Sequence, residues 1–458
     1  MNAVESENFN RLLSRLGHQF TPHGKCDFAV INTCTVTSRA DKKSIRAVRK
    51  CALENGARII FITGCWSELD IEGNNQNNTG FVNSDFTGRI FGLSHDVRLV
   101  RVLQKDKPRL CEIVQSLLGN PFAGDVEKRG KELAVRSSNS EKKIKKAAGV
   151  FRTRAFIKIQ DGCANYCAYC RIPYARGKPQ SRNYEEIIDL VKQHADEGCP
   201  EIVLCGINMG EYIYKSMTFA DMLGELLTYT KNTLVRLSSL EPPSFTPPLF
   251  NALSSVAIAP HVHIPLQSGS DSVLSAMGRR YTADFFRAVV KKLRTINPGF
   301  AVSTDIIAGF PGETESDHTA TLNLLRETKC MRIHVFPFSL RPGTRAENFL
   351  NVVPQKIIQK RTAEIAALGS ELAGEYIREM SGKVQRFVIE DRVNNSHDLY
   401  ADSTNSPGTV WYSGTSEYYI KGYFKSIRDA DSDLYVGQVK NLFLGRDSGN
   451  NTVFSCMK

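Results

Sequence analysis

Six short apolar runs follow one another between residues 155 and 338, most of them trailed by a helical stretch. They are AFIKIQD (155–161), EIVLCGI (201–207), LVRLSSL (234–240), HVHIPLQ (261–267), AVSTDIIAGF (301–310) and RIHVFPF (332–338). Runs this apolar belong inside a sheet, and a helix between successive runs makes the pairing parallel, because only a crossover returns the chain to the same end. The helices carry their own punctuation: in NYEEIIDLVKQHADEG, Asn183 is placed to cap and Gly198 to stop. Six βα units predict an open, partial version of the eight-stranded α/β barrel, with function at the carboxyl ends of the strands.

A chain of 458 residues has room for further domains on either side. Residues 1–126 alternate again: CDFAVINTC (26–34) reads as a strand, SRADKKSIRAVRKCALENG (38–56) as a helix and ARIIFITGCW (57–66) as a strand. That βαβ unit implies a second parallel sheet, with Cys34 and Cys65 at its strand ends. Residues 127–149 are polar, basic and poorly patterned, which predicts a linker. The barrel spans 150–378 and ends on a helix near 354–378. Residues 379–458 turn to short β-rich runs such as VQRFVIED, EYYIKGYF and LYVGQVKNLFL, divided by Asn, Asp, Ser and Gly. They predict a small antiparallel β-barrel. The fold class expected is therefore α/β: a parallel-sheet domain, a partial (β/α)6 barrel and a terminal β-barrel.

No apolar run approaches the roughly 18 residues that a membrane-spanning helix needs. The first residues also lack a charged region followed by an apolar core. The expected location is the cytoplasm, with no membrane partner. A formal charge of +11 points to a polyanionic partner, nucleic acid above all. Without a secretion signal, the twelve cysteines are expected to be thiols or metal ligands rather than disulfides.

Directly after the first barrel run stands DGCANYCAYCRIPYARG, which places Cys163, Cys167 and Cys170 at the spacing Cys-x3-Cys-x2-Cys. A lone Cys-x2-Cys pair would suit zinc or a redox dithiol equally well. Three thiolates within eight residues, with no fourth Cys or His nearby, suit zinc poorly. They suit a cubane iron–sulfur cluster with one iron left for another ligand. With Tyr169 before the third cysteine, the motif resembles that of the radical S-adenosylmethionine (SAM) enzymes. The resemblance implies that SAM chelates the free iron and is split by one electron to methionine and a radical that abstracts hydrogen.

The other strand ends narrow the resemblance to the methylthiotransferases. The stretches are IPYARGKPQSR, LCGINMGEY, RLSSLEP, HIPLQSGSDSVLSAMGRRYT, TDIIAGFPGETESD and HVFPFSLRPGTRA, and the likeness covers essentially the whole chain. Gly206 would let backbone approach a ligand, Glu241 and Gln267 would accept from ribose or amino groups, and Arg182 would hold a carboxylate or phosphate. With Tyr169 and Asp305 these make the SAM set. Arg280, with Lys142, Lys143, Lys145 and Lys146 of the linker, makes the RNA set.

The resemblance also implies a second, auxiliary cluster held by three cysteines of the first domain, of which Cys34 and Cys65 match two. One SAM would donate a methyl group to sulfur there, and a second would supply the radical. The stretches INTCTVTSRADKKS and RTRAFIKIQDGCANYCAYCRIPYARG look most like the branch that modifies N6-threonylcarbamoyladenosine at position 37 of tRNA. Implied partners are a tRNA anticodon stem-loop and an electron donor such as flavodoxin or ferredoxin. The terminal barrel is similar to TRAM domains, with Tyr400, Trp411, Tyr418, Tyr419 and Tyr423 as candidates to stack on bases. Activity on isopentenyladenosine or on a ribosomal protein is the alternative within the family. An RNA-binding protein unable to insert sulfur is the alternative outside it.

That last alternative comes from the first residues. The family opens on a strand ending Cys-x-x-Asn, followed by Glu-Ser or Glu-Thr, and MNAVES supplies only Asn2, Glu5 and Ser6. The first auxiliary cysteine is thus expected two residues upstream of Met1. The chain begins instead on a helical face of Phe9, Leu12, Leu13 and Leu16.

Overall fold

The computed structural model describes residues 2–21, 24–33, 38–68, 80–81, 97–118, 153–393, 409–427, 436–446 and 452–455. Cys34, Tyr400, the linker 127–149 and its Lys142, Lys143, Lys145 and Lys146 lie outside the described residues. Two compact units result, one within residues 1–150 together with Cys170–Gly177, the other from 151–169 and 178–458.

In the first unit α1 (Asn2–Arg15), β1 (Phe28–Thr33), α2 (Ser38–Leu53), β2 (Ile59–Gly64), β3 (Gly80–Phe81), β4 (Arg98–Arg101) and α3 (Leu110–Leu118) follow in order. The sheet runs β1-β2-β4-β3. Parallel pairs set Phe28 opposite Ile59 and Ile59 opposite Arg98, and β3 returns antiparallel. Central β2 buries Ile60, Phe61 and Ile62 in succession, as a strand covered on both faces must. One face packs Val48 of α2 on Ile60, Ile62 and Leu99, and the other packs Phe9 and Leu13 of α1 with Val114 of α3 on Phe61 and Val100. The apolar stripe of α1 is narrower than its sequence suggests, since Leu12 is 43% exposed. The short helix α4 (Ile172–Arg176) belongs to this unit.

The second unit holds the six expected barrel strands: β5 (Arg154–Lys158), β6 (Glu201–Cys205), β7 (Leu234–Leu237), β8 (His261–His263), β9 (Ala301–Ala308) and β10 (Arg332–Pro337). All neighbours pair parallel, as β7-β6-β5 and β8-β9-β10. Isolated parallel bridges, Val235 with Ile258 and Ser239 with His263, join the two halves. Helices α5 (Tyr184–Asp196), α6 (Phe219–Leu226), α7 (Pro247–Leu253), α8 (Asp271–Met277), α9 (Ala283–Ile296) and α10 (Glu315–Thr328) form the crossovers. Asn183 caps α5 as expected, its side chain accepting from the N–H groups of Glu185 and Glu186.

Helix α11 (Gln355–Met380) leads to β11 (Val384–Val393), β12 (Thr409–Ser416), β13 (Lys421–Ile427), β14 (Val439–Arg446) and β15 (Thr452–Ser455). They close as β11-β12-β13-β15-β14, antiparallel except for β13 with β15, where Tyr423 lies opposite Val453 in parallel. This barrel shares a core with the start of the larger one: Ala301 and Met331 pack with Tyr376 and Met380 of α11 and with Phe387, Ile420, Phe424 and Leu444. No described helix is long and apolar enough to cross a membrane.

The hairpin tip between β12 and β13 corrects the expected stacking surface. Tyr419 stacks on His261 at 4.2 Å, with the Arg236 and Arg332 guanidinium carbons 5.2 and 4.9 Å from its ring. The Tyr418 hydroxyl accepts from Asn297 Nδ2 at 3.3 Å, and Trp411 is buried. These three aromatics hold the protein to itself, and Tyr423 is half-buried. Strand alternation predicts that half of a barrel's aromatics face inward, but it is blind to a hairpin tip docked on another sheet.

Asp317 ties two crossovers together. It completes the capping box of α10 with Thr314 and accepts from Ser270 and Ser272 at the start of α8, at 2.5 and 2.8 Å. Burial alone would raise its pKa, but these hydrogen bonds outweigh it and hold the carboxyl at about 2. A lowered folded pKa stabilises above the unfolded value and is lost as pH falls through about 2. Asp317→Asn is expected to cost about 1 kcal/mol at pH 7. In urea titrations repeated at decreasing pH, its gap from the unsubstituted chain should close below about pH 4.

Candidate active site

The loop after β5 turns at Gly162, whose φ is +71°, a conformation glycine adopts at no cost. Two backbone bonds pin the loop: Ala168 N–H donates to the Met277 carbonyl, and Ala346 N–H donates to that of Ala168, both at 2.8 Å. Tyr169 sets its ring edge-on to Phe310, with centroids 6.3 Å apart. Tyr169 therefore anchors the loop on the apolar cluster of Ala168, Met277 and Phe310.

Every cysteine of the triplet accepts an N–H bond at sulfur. Asn165 N–H donates to Cys163 at 3.4 Å, and Arg279 Nη1 donates to buried Cys167 at 3.1 Å. In the first unit Ile172 N–H donates to Cys170, also at 3.4 Å. Burial pushes the Cys163 thiol up to about 11, so without a metal it rests protonated. Among the described residues no three His, Cys, Asp or Glu side chains converge on a single ion position. A cubane asks for something else, since each thiolate binds a different iron; three thiolates with donors already on sulfur fit that group.

Beside Cys167 in the second unit lies a cavity of about 190 Å³ lined by Asn165, Asn208, Glu211, Glu241, Arg279 and Arg280, among others. Its donors and acceptors are set from different strand ends. Asn208, after β6, is buried with its Oδ1 lacking a hydrogen-bond partner, an acceptor waiting for a donor. Glu211 accepts from Ala164 N–H at 3.1 Å and, half-buried, has its pKa raised by desolvation. Glu241, after β7, is raised by burial too, against the pull of its ion pair with Arg279. A ligand carrying amino or hydroxyl donors finds three acceptors here, which fits the SAM amino and ribose groups.

The structure thus brings Glu241 and Arg280 to the cavity with Cys167 beside them. Gly206 stands one residue beyond β6, where a Cβ would meet Met209 Cγ at 2.6 Å and Gln160 Oε1 at 3.2 Å. Its smallness is required by packing within the strand end. The cavity lining does not include Arg182, Gln267 or Asp305. Arg182 pairs with Glu186 across one turn of α5 at 2.9 Å. Gln267, buried with φ +69°, bridges to Ile306 through backbone. Asp305 accepts from His263 Nε2 at 3.1 Å. Sequence reasoning missed Asn208, Glu211 and Arg279. All three lie in motifs already noticed, GINMGEY and MGRRYT, and the twin arginines gave no hint that the first one faces the cysteine.

In the first unit Cys65 is buried just beyond β2 and accepts from Arg176 Nε at 3.3 Å. Arg176 also reaches Glu5 at 3.3 Å, and Glu5 pairs with Lys107 at 2.5 Å and accepts from Asn32 at 3.0 Å. The Glu5 of the opening motif is thus the hub of a buried polar cluster beside Cys65.

Comparison with known proteins agrees with this geometry. Residues 157–325 match the model of the radical SAM superfamily, and residues 1–81 that of the uncharacterized protein family UPF0004. The threonylcarbamoyladenosine tRNA methylthiotransferase MtaB of Bacillus subtilis is 33% identical over 91% of this chain and 89% of its own length. The protein of that name from Thermotoga maritima is 31% identical over 93% and 89%. A tRNA-2-methylthio-N(6)-dimethylallyladenosine synthase of Desulfosudis oleivorans is 32% identical over 89% and 85%. A cysteine triplet on the first strand's loop, a cavity of acceptors beside it and likeness over nine-tenths of the length have one common reading: the chain belongs to the radical SAM methylthiotransferases, enzymes that work with [4Fe–4S] clusters and S-adenosylmethionine.

Proposed function

We propose that this enzyme replaces the C2 hydrogen of N6-threonylcarbamoyladenosine, at position 37 of tRNA, with a methylthio group. The observation that carries the chemistry is Cys167 standing beside the acceptor-lined cavity, with the sulfurs of the triplet already accepting N–H donors. The substrate base is supported by the names of relatives such as those from Bacillus subtilis and Thermotoga maritima. The net charge of +11 suits a tRNA anticodon stem-loop.

Cys163, Cys167 and Cys170 would hold the cluster, which when bound supplies the electron that cleaves SAM and so the means to take hydrogen from carbon. Asn208, Glu211 and Glu241 orient the amino and ribose groups of SAM, and Arg280, exposed at the cavity rim, meets an anionic group. Tyr169 holds the loop in register against Phe310. Cys34 and Cys65 would serve the auxiliary cluster and sulfur delivery, with Arg176 and Glu5 positioning Cys65. A second SAM would supply the methyl group, and a flavodoxin or ferredoxin would supply electrons.

Mass spectrometry of tRNA nucleosides from a strain lacking the gene tests the substrate. Loss of 2-methylthio-N6-threonylcarbamoyladenosine, with the unthiolated base accumulating, is expected. Loss of the dimethylallyl counterpart instead assigns the sister activity, which the Desulfosudis relative makes the second reading. An unchanged nucleoside profile overturns both and leaves activity on a ribosomal protein or an RNA-binding homologue.

A further inference from the structure

Arg279 sits where the cysteine loop meets the cavity, and its guanidinium is fixed on three sides. The side chain is 4% exposed and ion-paired with Glu241. Its Nε donates to the Tyr281 hydroxyl at 2.9 Å, and its Nη1 donates to the Cys167 sulfur at 3.1 Å. Tyr281 is anchored in turn, its hydroxyl donating to the Pro265 carbonyl at 2.9 Å. A planar fork held this way cannot swing off the sulfur without breaking a buried ion pair.

A guanidinium keeps its proton in proteins, so a full positive charge stays at this sulfur whatever the redox state around it. A charge-assisted N–H···S bond draws electron density from a thiolate, and the potential of an iron–sulfur cluster follows net charge and hydrogen bonds to its sulfurs. Positive charge favours the reduced form, which carries one more electron. Glu241, bonded to the same guanidinium, opposes it.

We infer that Arg279, with Glu241 as its counterweight, is a positioning residue that sets the reduction potential of the cluster carried by Cys163, Cys167 and Cys170. The inference rests on the cluster reading of that triplet. It fixes signs: loss of the Arg279 charge moves the potential more negative, and loss of the Glu241 charge moves it more positive. A residue that merely braced the loop would change iron retention without producing opposite shifts.

The test uses the full chain, reconstituted anaerobically and measured without SAM, so that hold on SAM does not enter. The unsubstituted chain, Arg279→Met, Arg279→Lys and Glu241→Gln are titrated electrochemically, following the paramagnetic resonance of the reduced triplet cluster, with iron and sulfide assayed alongside. About four irons at the triplet are expected in each. The midpoint should move negative in Arg279→Met, less so in Arg279→Lys, and positive in Glu241→Gln. Equal midpoints, or shifts of one sign in Arg279→Met and Glu241→Gln, overturn the inference. Iron lost from Arg279→Met with circular dichroism unchanged also overturns it, since a bare structural brace gives that result. An unsubstituted chain that takes up no iron at the triplet overturns the cluster reading itself, and shows this before any variant is measured.

Discussion

Replacing Cys163, Cys167 or Cys170 singly by alanine is expected to remove about four irons per reconstituted chain and to abolish deoxyadenosine formation from SAM. The size of the effect follows from the donor set. Glu211 and Glu241 stand near the triplet, but a hard carboxylate is a poor replacement for a soft thiolate on an iron–sulfur cluster. Two thiolates on one short loop leave a second iron open to water, and the gain that drives assembly is lost with it. Cys199 supplies the control: it is half-buried, its thiol donates to the Glu201 carbonyl at 3.3 Å, and burial raises its pKa. Cys199→Ser should retain full iron and full deoxyadenosine formation. Iron and sulfide assays beside chromatography of the nucleoside product decide the matter. A triplet variant that keeps both its iron and its product would sink the assignment of that cysteine.

What the sequence made legible divides along periodicity. Strand runs and their parallel order follow from local pattern, so five barrel strands fall within the runs read from the sequence and the first begins one residue earlier, at Arg154. Cysteine spacing is likewise local, so the triplet needed no structure. The cavity is different, because its lining is assembled from four strand ends whose side-chain directions depend on packing. Arg280 was legible as a cation, but the choice between Arg279 and Arg280 depends on the left-handed turn at Gly278, φ +76°, which sends the two side chains different ways. Gly206 was legible as a constraint but not its cause, which is Met209 folded back onto it. Arg182, Gln267 and Asp305 sit in motif stretches yet fall outside the cavity lining, Arg182 paired with Glu186 and Asp305 with His263. The aromatics of the terminal barrel failed for a related reason, since the docking of Tyr419 is decided by His261, Arg236 and Arg332 from elsewhere in the chain.

That docked hairpin carries the largest expected stability effect. Arg236, 4% exposed, meets fully buried Glu201 through two bonds, Nε to Oε1 at 3.0 Å and Nη2 to Oε2 at 2.6 Å. The same guanidinium donates to the carbonyls of Ser416 at 3.2 Å and Glu417 at 3.1 Å, and so holds the hairpin tip. Burial alone would raise the Glu201 pKa, but Arg236 first and Arg154 after it hold the group below its usual value. Removing one partner of such a pair leaves charge in the interior, a cost of about 3–5 kcal/mol, whereas an apolar replacement of the whole set can be neutral. Arg236→Met should therefore lower stability in urea by about that amount, and should expose the β12–β13 tip to limited proteolysis. Glu201→Gln combined with Arg236→Met should recover part of the loss, because no buried carboxylate then remains. The pH dependence has a defined sign: a lowered folded pKa stabilises above the unfolded value, about 4.3, and the contribution disappears as pH falls through the folded one. The unsubstituted chain and Arg236→Met should accordingly converge in acid. A loss below about 1 kcal/mol at pH 7, or a double variant no more stable than the single, would show that Arg154 alone satisfies Glu201 and that the hairpin is held by its aromatic stack.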